Sequence, residues 1–193
     1  PSDPLDDPSR LLAAGSRVMN RSELEHIIGA AATIASDDEI IVVGSQSILG
    51  QFPDAPADLR VSVEADVWPR NHPERWELID GSIGELSPFH ETFGYFAQGV
   101  GPETAVLPTG WEERLIRVES PATRGAVGLC LEIHDLAISK YVAEREKDIR
   151  FVRAAIAHGL VDRGVLLDRL SSTPVPDERR QCIRSFILRD FRE

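Results

Sequence analysis

The sequence has few of the features that mark secreted, membrane-spanning or zinc-binding proteins. Its 193 residues include two cysteines, Cys130 and Cys182, which form no CxxC pair and give no reason to expect a disulfide. Apolar runs such as 40–43 are far shorter than the roughly 20 residues of a membrane helix. The acidic, proline-rich segment 1–8 lacks a signal-peptide pattern, and the five histidines show no HExxH spacing for zinc. We expect a soluble, cytoplasmic protein with no membrane partner.

Positive charge is scarce in the first two-thirds of the chain. The protein has 32 acidic and 21 basic residues, a formal net charge of −11. Residues 1–132 contain 22 of the acids and 9 of the bases, whereas residues 133–193 contain 10 acids and 12 bases. A protein that binds nucleic acid normally carries a basic surface. Any nucleic-acid contact is therefore expected on the C-terminal third.

The composition is that of a folded domain, since 42% of the residues are hydrophobic and 27% are charged. Strand-like segments alternate with helical ones in the first two-thirds, and the pattern turns helical after Pro121. We expect an α/β fold with a small mixed sheet followed by a C-terminal helical bundle. The predicted parts are an N-terminal arm with one short helical stretch (1–20), an α/β core (21–130) and a helical region (131–193).

Capping signals and hydrophobic periodicity predict the individual elements. Ser22 and Glu25 form a capping-box pattern that predicts a helix starting there. The β-branched run 40–43 predicts a buried strand, and the alternation over 60–67 predicts a second one. The other expected elements are helices at 46–51, 72–83, 131–143, 146–158, 161–171 and 177–191, strands at 105–107 and 113–118, and a loop at 84–103.

The sharpest local feature is the acidic pair Glu64 and Asp66 on the second expected strand. Side chains two residues apart on a strand share a face, which leaves Val61, Val63 and Ala65 to face the core. Two such carboxylates form half of a Mg²⁺ site, because Mg²⁺ prefers oxygen ligands and shares itself with substrate phosphates. The alternative is a solvated strand edge that happens to carry two acids.

A Gly44–Ser45 pair follows the first expected strand and precedes a short helix. Backbone N–H groups and a hydroxyl in this position bind anions such as phosphate. Taken alone, such a pair is usually only a tight turn with an N-cap. Together with the acidic pair on the next strand, it forms a more specific pattern, in which a phosphate and a Mg²⁺ ion would bind side by side.

These segments resemble a known superfamily. Val42 to Ser45 and Ser62 to Asp66 resemble the Gly-Ser … Asp-x-Asp signature of the DNA polymerase β-type nucleotidyltransferases. Asp135 to Lys140, followed by Arg145 to Asp148, is similar to the Lys … Lys-Asp pattern of the AbiEii/MenT-like nucleotidyltransferases. That group includes toxins of toxin–antitoxin pairs.

The resemblance implies a Mg²⁺-dependent enzyme that transfers a nucleotide from a nucleoside triphosphate to an acceptor. It further implies a tRNA or another RNA 3′ end as acceptor, and a cognate antitoxin as a protein partner. The site residues that it implies are Gly44, Ser45 and Lys140 for the nucleotide, Glu64 and Asp66 for one or two Mg²⁺ ions, and Asp148 as a later acidic residue and candidate base.

Two features depart from the pattern of the superfamily. Glu64 stands where aspartate is usual, and the loop 52–58 lengthens the interval between Gly44–Ser45 and the acids. Glu64 favours an alternative function, a catalytically silent nucleotidyltransferase fold that binds a nucleotide or a partner. A third alternative is transfer onto a small molecule or a protein.

Lys140 and Asp148 can reach one pocket only if the chain turns between them. On a straight helix, eight residues span about 12 Å and about 80° of rotation. The charged run 144–147 is expected to form a corner between two helices. The alternative is one solvated helix face with pairs such as Lys140–Glu144.

Two groups of residues are candidates for contacting RNA. The aromatic cluster within 89–96 is expected either to stack a base or to form a small satellite core under a loop. The basic residues expected to contact RNA phosphates on the C-terminal helices are Arg145, Lys147, Arg150 and Arg153.

Overall fold

The computed structural model describes residues 17–192, so most of the predicted N-terminal arm, including its short helical stretch, lies outside the described residues. Five strands form one mixed sheet in the order β3-β2-β1-β5-β4. The strands are β1 (Glu39–Val43), β2 (Glu64–Pro69), β3 (Phe96–Gly99), β4 (Ile116–Val118) and β5 (Val127–Cys130). β1 pairs antiparallel with β2 and parallel with β5, β2 pairs parallel with β3, and β4 pairs antiparallel with β5.

Helices cover the sheet and form the C-terminal third of the described chain. They are α1 (Arg21–Ala35), α2 (Ile48–Gln51), α3 (Trp76–Ile83), α4 (Pro88–Phe93), α5 (Ile133–Ala143), α6 (Glu146–Ala157), α7 (Arg163–Ser171) and α8 (Asp177–Asp190). The sheet followed by a helical bundle confirms the predicted α/β fold class. No helix within residues 17–192 combines the length and the apolarity needed to cross a bilayer.

The core lies between the sheet and the helices that contact it. β1 is buried from Ile40 to Val43, as its unbroken β-branched run predicts for a central strand. α1 packs against this sheet and against α3, and its buried side chains recur at helical spacing at Leu24, Ile27 and Ile28. Behind the sheet, α5 contacts α6 and α7, and α7 contacts α8.

The predicted start of α1 is wrong by two residues. Asn20, not Ser22, caps the helix: its side chain accepts a hydrogen bond from the backbone of Glu23, whose carboxylate bonds the Asn20 N–H in return. Ser22 donates to the Asn20 side chain at 2.6 Å, and Glu25 pairs with Arg21 at 2.8 Å. Asn20 and Glu23 have the same spacing as Ser22 and Glu25, and the helix uses the earlier pair as its cap.

The strand predicted over 60–67 is wrong at its start, because β2 begins only at Glu64. The Arg60 carbonyl accepts a hydrogen bond from Met19, so the preceding segment pairs with the chain ahead of α1 instead of with the sheet. Ala65 is buried as predicted, but Val61 was expected in the core and is 54% exposed.

Several short elements of the middle region differ from prediction. The 84–103 segment was expected to be a loop and contains α4 and β3, whereas 105–107 forms no strand. β5 was missed because it is short and contains Gly128. A β-carbon at Gly128 would collide with the side chain of Ile28, so the close approach of α1 requires a residue of low strand propensity here.

Candidate active site

The chain leaves β1 through a turn that only glycine fits. Gly44 has φ +68°, and a β-carbon added there would collide with the Asp66 carboxylate. Ser45 to Ser47 then form one 3-10 turn that continues into α2. Ser47 fastens this turn by donating a hydrogen bond to the Gly44 carbonyl at 2.9 Å. The Gly44–Ser45 backbone therefore lies directly against one carboxylate of the acidic pair.

The acidic pair reaches this turn through the register of two neighbouring strands. Val43 lies opposite Asp66 in the antiparallel β1–β2 pair, and Glu64 shares the same face of β2 two residues earlier. Burial, and then repulsion by the Glu64 carboxylate, raise the pKa of Asp66 to about 6. The positive charges of Lys140, Lys147 and Arg145 oppose this rise and do not cancel it.

Lys140 and Asp148 meet at a helix corner, as predicted. α5 ends at Ala143, Glu144 takes a left-handed conformation at φ +55°, and α6 begins two residues later. The Lys140 Nζ donates to the Ser45 Oγ at 2.9 Å and to the Asp148 Oδ1 at 3.0 Å. It also lies 4.6 Å from the centre of the Phe151 ring. The corner thus delivers a buried ammonium group to the Gly44–Ser45 turn.

Asp148 is fully engaged in holding this ammonium group. Its side chain is 1% exposed, and its second oxygen accepts a hydrogen bond from the Arg145 Nε at 2.6 Å. Burial acts to raise the pKa of Asp148, but the hydrogen bonds from Arg145 and Lys140 outweigh it, so the pKa is lowered. Burial lowers the pKa of Lys140, and Asp148 opposes that effect. Asp148 is therefore an ionised counter-ion, which suits a positioning role better than that of a base.

Two adjoining cavities open on either side of the Gly44–Ser45 turn. The smaller holds about 110 Å³ on the side of Asp66 and Arg145. The larger, called here the α6 groove, holds about 570 Å³, a volume that suits a nucleotide-sized ligand. The α6 groove is lined by Ser45, Asp58, Leu59, Val61, Ser62, Glu64, Lys147, Arg150, Phe151 and Ala154.

A family model described as "Nucleotidyltransferase of unknown function (DUF6036)" matches residues 22–186, which is most of the chain. The chain belongs to the DUF6036 family. No curated protein and no solved structure matches it significantly. Membership supports the prediction of a nucleotidyltransferase family, while the closer similarity to the AbiEii/MenT-like group stays a prediction.

In this DUF6036 protein, all six predicted site residues come together around one turn. Gly44 and Ser45 form the turn, Asp66 touches it, Glu64 lies beside Asp66, and Lys140 reaches it from α5 with Asp148 behind. Within residues 17–192, no group of three or more acids, histidines or cysteines is arranged to hold a metal. Any ion bound here would take its remaining ligands from water or substrate, as Mg²⁺ commonly does.

The structure adds basic residues to the site and removes one from the expected RNA surface. Lys147 lies 3.7 Å from the Glu64 carboxylate, and Arg150 lies one turn further along α6 on the same groove. Arg153 instead pairs with Asp190 on α8 at 3.1 Å. Spacing alone does not reveal this difference, because Arg153 follows Arg150 by three residues and the pairing depends on how α8 packs against α6.

The aromatic cluster of this protein forms a small satellite core. The rings of Phe89, Phe93 and Tyr95 contact His26 on α1, with centroids 4.8 to 6.0 Å from its ring. The His26 Nδ1 lies 2.8 Å from the Tyr95 hydroxyl. The rings thus anchor α4 and the start of β3 to α1, in agreement with the second of the two predicted alternatives.

Proposed function

We propose that this protein is a Mg²⁺-dependent nucleotidyltransferase that binds a nucleoside triphosphate at the Gly44–Ser45 turn. The observation that carries the proposal is the convergence of this turn, the Glu64–Asp66 pair and the Lys140 ammonium group. The three parts come from distant stretches of the chain. If the charged residues only stabilised the fold, the turn would not need a glycine where it meets the Asp66 carboxylate.

The acidic pair has the chemistry of a magnesium site. Glu64 and Asp66 offer hard oxygen ligands on one face of β2, and burial followed by repulsion from Glu64 raises the pKa of Asp66, two effects that a bound cation would offset. Bound there, Mg²⁺ would stabilise the leaving pyrophosphate and activate the acceptor hydroxyl. The absence of a side chain at Gly44 keeps the Asp66 oxygens accessible from the turn.

The protein's own residues would bind and orient the triphosphate. The Gly44–Ser45 turn offers backbone N–H groups and a hydroxyl, and Lys140 adds positive charge 2.9 Å from that hydroxyl. Asp148 and Arg145 would hold Lys140 in place. In this arrangement Asp148 positions the ammonium group, and it is not the group that accepts the acceptor's proton.

The proposed acceptor is a tRNA or another RNA 3′ end, with a cognate antitoxin as partner, by analogy with the AbiEii/MenT-like enzymes. The basic rim of the α6 groove at Lys147 and Arg150 supports an RNA acceptor on this side. Arg150→Ala should reduce the slope of RNA affinity against salt by about one unit or slightly less. Replacement of Arg184, an exposed arginine on α8, serves as the control.

The direct test is incubation with each labelled ribonucleoside triphosphate, Mg²⁺ and total RNA. The proposal predicts Mg²⁺-dependent label in the RNA fraction, and loss of that label with Asp66→Asn. Label in protein or in small molecules would mean that the acceptor is not RNA. Nucleotide binding without any transfer would support the catalytically silent alternative, which the unusual Glu64 favours.

A further inference from the structure

The chain contains only two lysines, and both lie at the candidate active site. Lys140 is buried, whereas the Lys147 side chain is 60% exposed and lies on the rim of the α6 groove. The other 19 basic residues are arginines. The two ammonium groups therefore occupy one site in different environments, and each can be assigned its own role.

Most of the hydrogen-bonding capacity of Lys140 is used inside the protein. An ammonium group has three N–H donors. Two of them point to Ser45 and Asp148, and the group also lies against the face of the Phe151 ring. Only one N–H remains for a phosphate, and the side chain is 7% exposed. Lys140 is therefore suited to act on the nucleotide through the Ser45 hydroxyl.

Lys147 is held only loosely. Its Nζ lies 3.7 Å from the Glu64 Oε1, which is beyond hydrogen-bond distance, and both side chains are partly exposed to water. Pairs of this kind contribute about 1 kcal/mol or less. Its partner is also one of the two proposed metal ligands, so a divalent cation at Glu64 would compete directly with Lys147.

We propose that Lys147 is the direct phosphate ligand of this site and exchanges partners when the donor binds. It is the counter-ion of Glu64 in the metal-free protein, and it transfers to the donor triphosphate when a metal ion occupies Glu64. The inference rests on the proposed function, because it assumes that a triphosphate binds at Ser45. It assigns to Lys147 the contact that the sequence pattern assigns to Lys140.

The scarcity of lysine makes the exchange directly measurable by amine acylation and mass spectrometry. Lys147 of the wild-type protein should react readily, and buried Lys140 should react slowly. With Mg²⁺ and a ribonucleoside triphosphate at about ten times its Kd, the rate at Lys147 should fall about tenfold, because about one molecule in ten is unliganded. No RNA is added, so protection reports on the donor alone.

The exchange predicts that removal of the Lys147 ammonium group weakens triphosphate binding and tightens metal binding, and two variants test this. Lys147→Ala should weaken triphosphate binding about 10- to 100-fold, as expected for loss of a charged hydrogen bond. It should tighten binding of Mn²⁺ alone, by up to about fivefold, because Glu64 loses its competing partner. Lys147→Arg should restore most of the nucleotide affinity. Arg184→Ala on α8 is the control for loss of one positive charge.

The outcomes separate this inference from the proposed function. Calorimetric binding of a triphosphate to the wild-type protein without protection of Lys147, or without weakening in Lys147→Ala, overturns the inference and leaves the proposed function standing. Unchanged or weaker Mn²⁺ binding by Lys147→Ala overturns the exchange with Glu64. If no ribonucleoside triphosphate binds the wild-type protein, the proposed function and this inference fall together.

Discussion

The carboxylates of strand β2 and the buried carboxylates of the helical region have different electrostatic surroundings. Asp135 on α5 is fully buried, and the Nε atoms of Arg114 and Arg169 lie 2.8 and 3.3 Å from its oxygens. Asp66 on β2 has another acid, Glu64, on the same strand face, and its pKa is raised to about 6. Two guanidinium groups match Asp135, whereas the positive charges near Asp66 only partly offset its burial and its repulsion by Glu64, as expected for an acid that binds a cation.

The helical region repeats this matching at a second buried acid. Asp190, near the end of α8, accepts hydrogen bonds from Tyr141 at 3.2 Å and from Arg153 and Arg189 at 3.1 Å. This arrangement ties α8 to α5 and α6. Many of the basic residues of the C-terminal third therefore serve such internal pairs, which leaves less positive charge for RNA than the overall charge division suggests.

The largest expected effect comes from Asp66. Asp66→Asn removes a proposed metal ligand and should lower nucleotide transfer by about 100- to 1,000-fold or more. Initial rates of label transfer at saturating Mg²⁺ measure the effect. Glu119→Gln is the control, since that exposed carboxylate pairs with Arg117 away from the site. Full activity of Asp66→Asn would remove the metal site from the proposal.

Asp135→Ala should have the opposite phenotype. It leaves Arg114 and Arg169 without their shared partner and should lower the free energy of unfolding by about 3 kcal/mol. Urea denaturation measures this loss, and activity per folded molecule should remain near that of the wild type. Asp168→Ala is the control, because Asp168 is 78% exposed and meets Arg169 at 3.7 Å, so less than about 1 kcal/mol is expected. Equal losses in the two variants would contradict the comparison.

The pH dependence of stability follows from Asp66. The folded carboxyl keeps its proton up to about pH 6, whereas the unfolded carboxyl loses it near its ordinary value of 3.8. The unfolded state thus binds fewer protons between these values, and stability falls as pH rises through this window. Above about pH 6, the ionised Asp66 carboxylate lowers the free energy of unfolding by about 1–3 kcal/mol. Metal-free Asp66→Asn should exceed the wild type by this amount at pH 7 and match it below pH 4. Urea denaturation of both proteins at the two pH values measures this difference in stability. An absent or reversed difference at pH 7 would contradict the raised pKa of Asp66.

The smallest effect is expected for Glu64→Asp, which keeps both carboxylates and shortens one side chain by a methylene. Transfer should be retained or increased, because the change restores the ligand length usual in the superfamily. A Mg²⁺ titration of the two proteins measures it. A large loss would mean that Glu64 is adapted to the backbone at the start of β2, where Ser62 bonds the Glu64 N–H at 3.1 Å.

Some elements were predictable because their signals are local. The buried run of β1 and the corner before α6 both follow from side-chain type and spacing. The start of β2 and the existence of β5 did not follow, because they depend on contacts with remote parts of the chain. Arg60 pairs with Met19, and Gly128 lies under α1. Alternation and strand propensity cannot report such contacts.

The sequence by itself determined the parts of the candidate site: a Gly44–Ser45 turn after a buried strand, and two carboxylates on one strand face. The shared face follows from the two-residue repeat of a strand, and the turn follows from the conformational freedom of glycine. Both are local properties. Only the tertiary structure decided how the parts meet. The β1–β2 register places Asp66 against Gly44, and the packing of α5 brings Lys140 to Ser45 across 95 residues. Register and helix packing depend on which apolar faces are buried together, and that choice is made by the whole core.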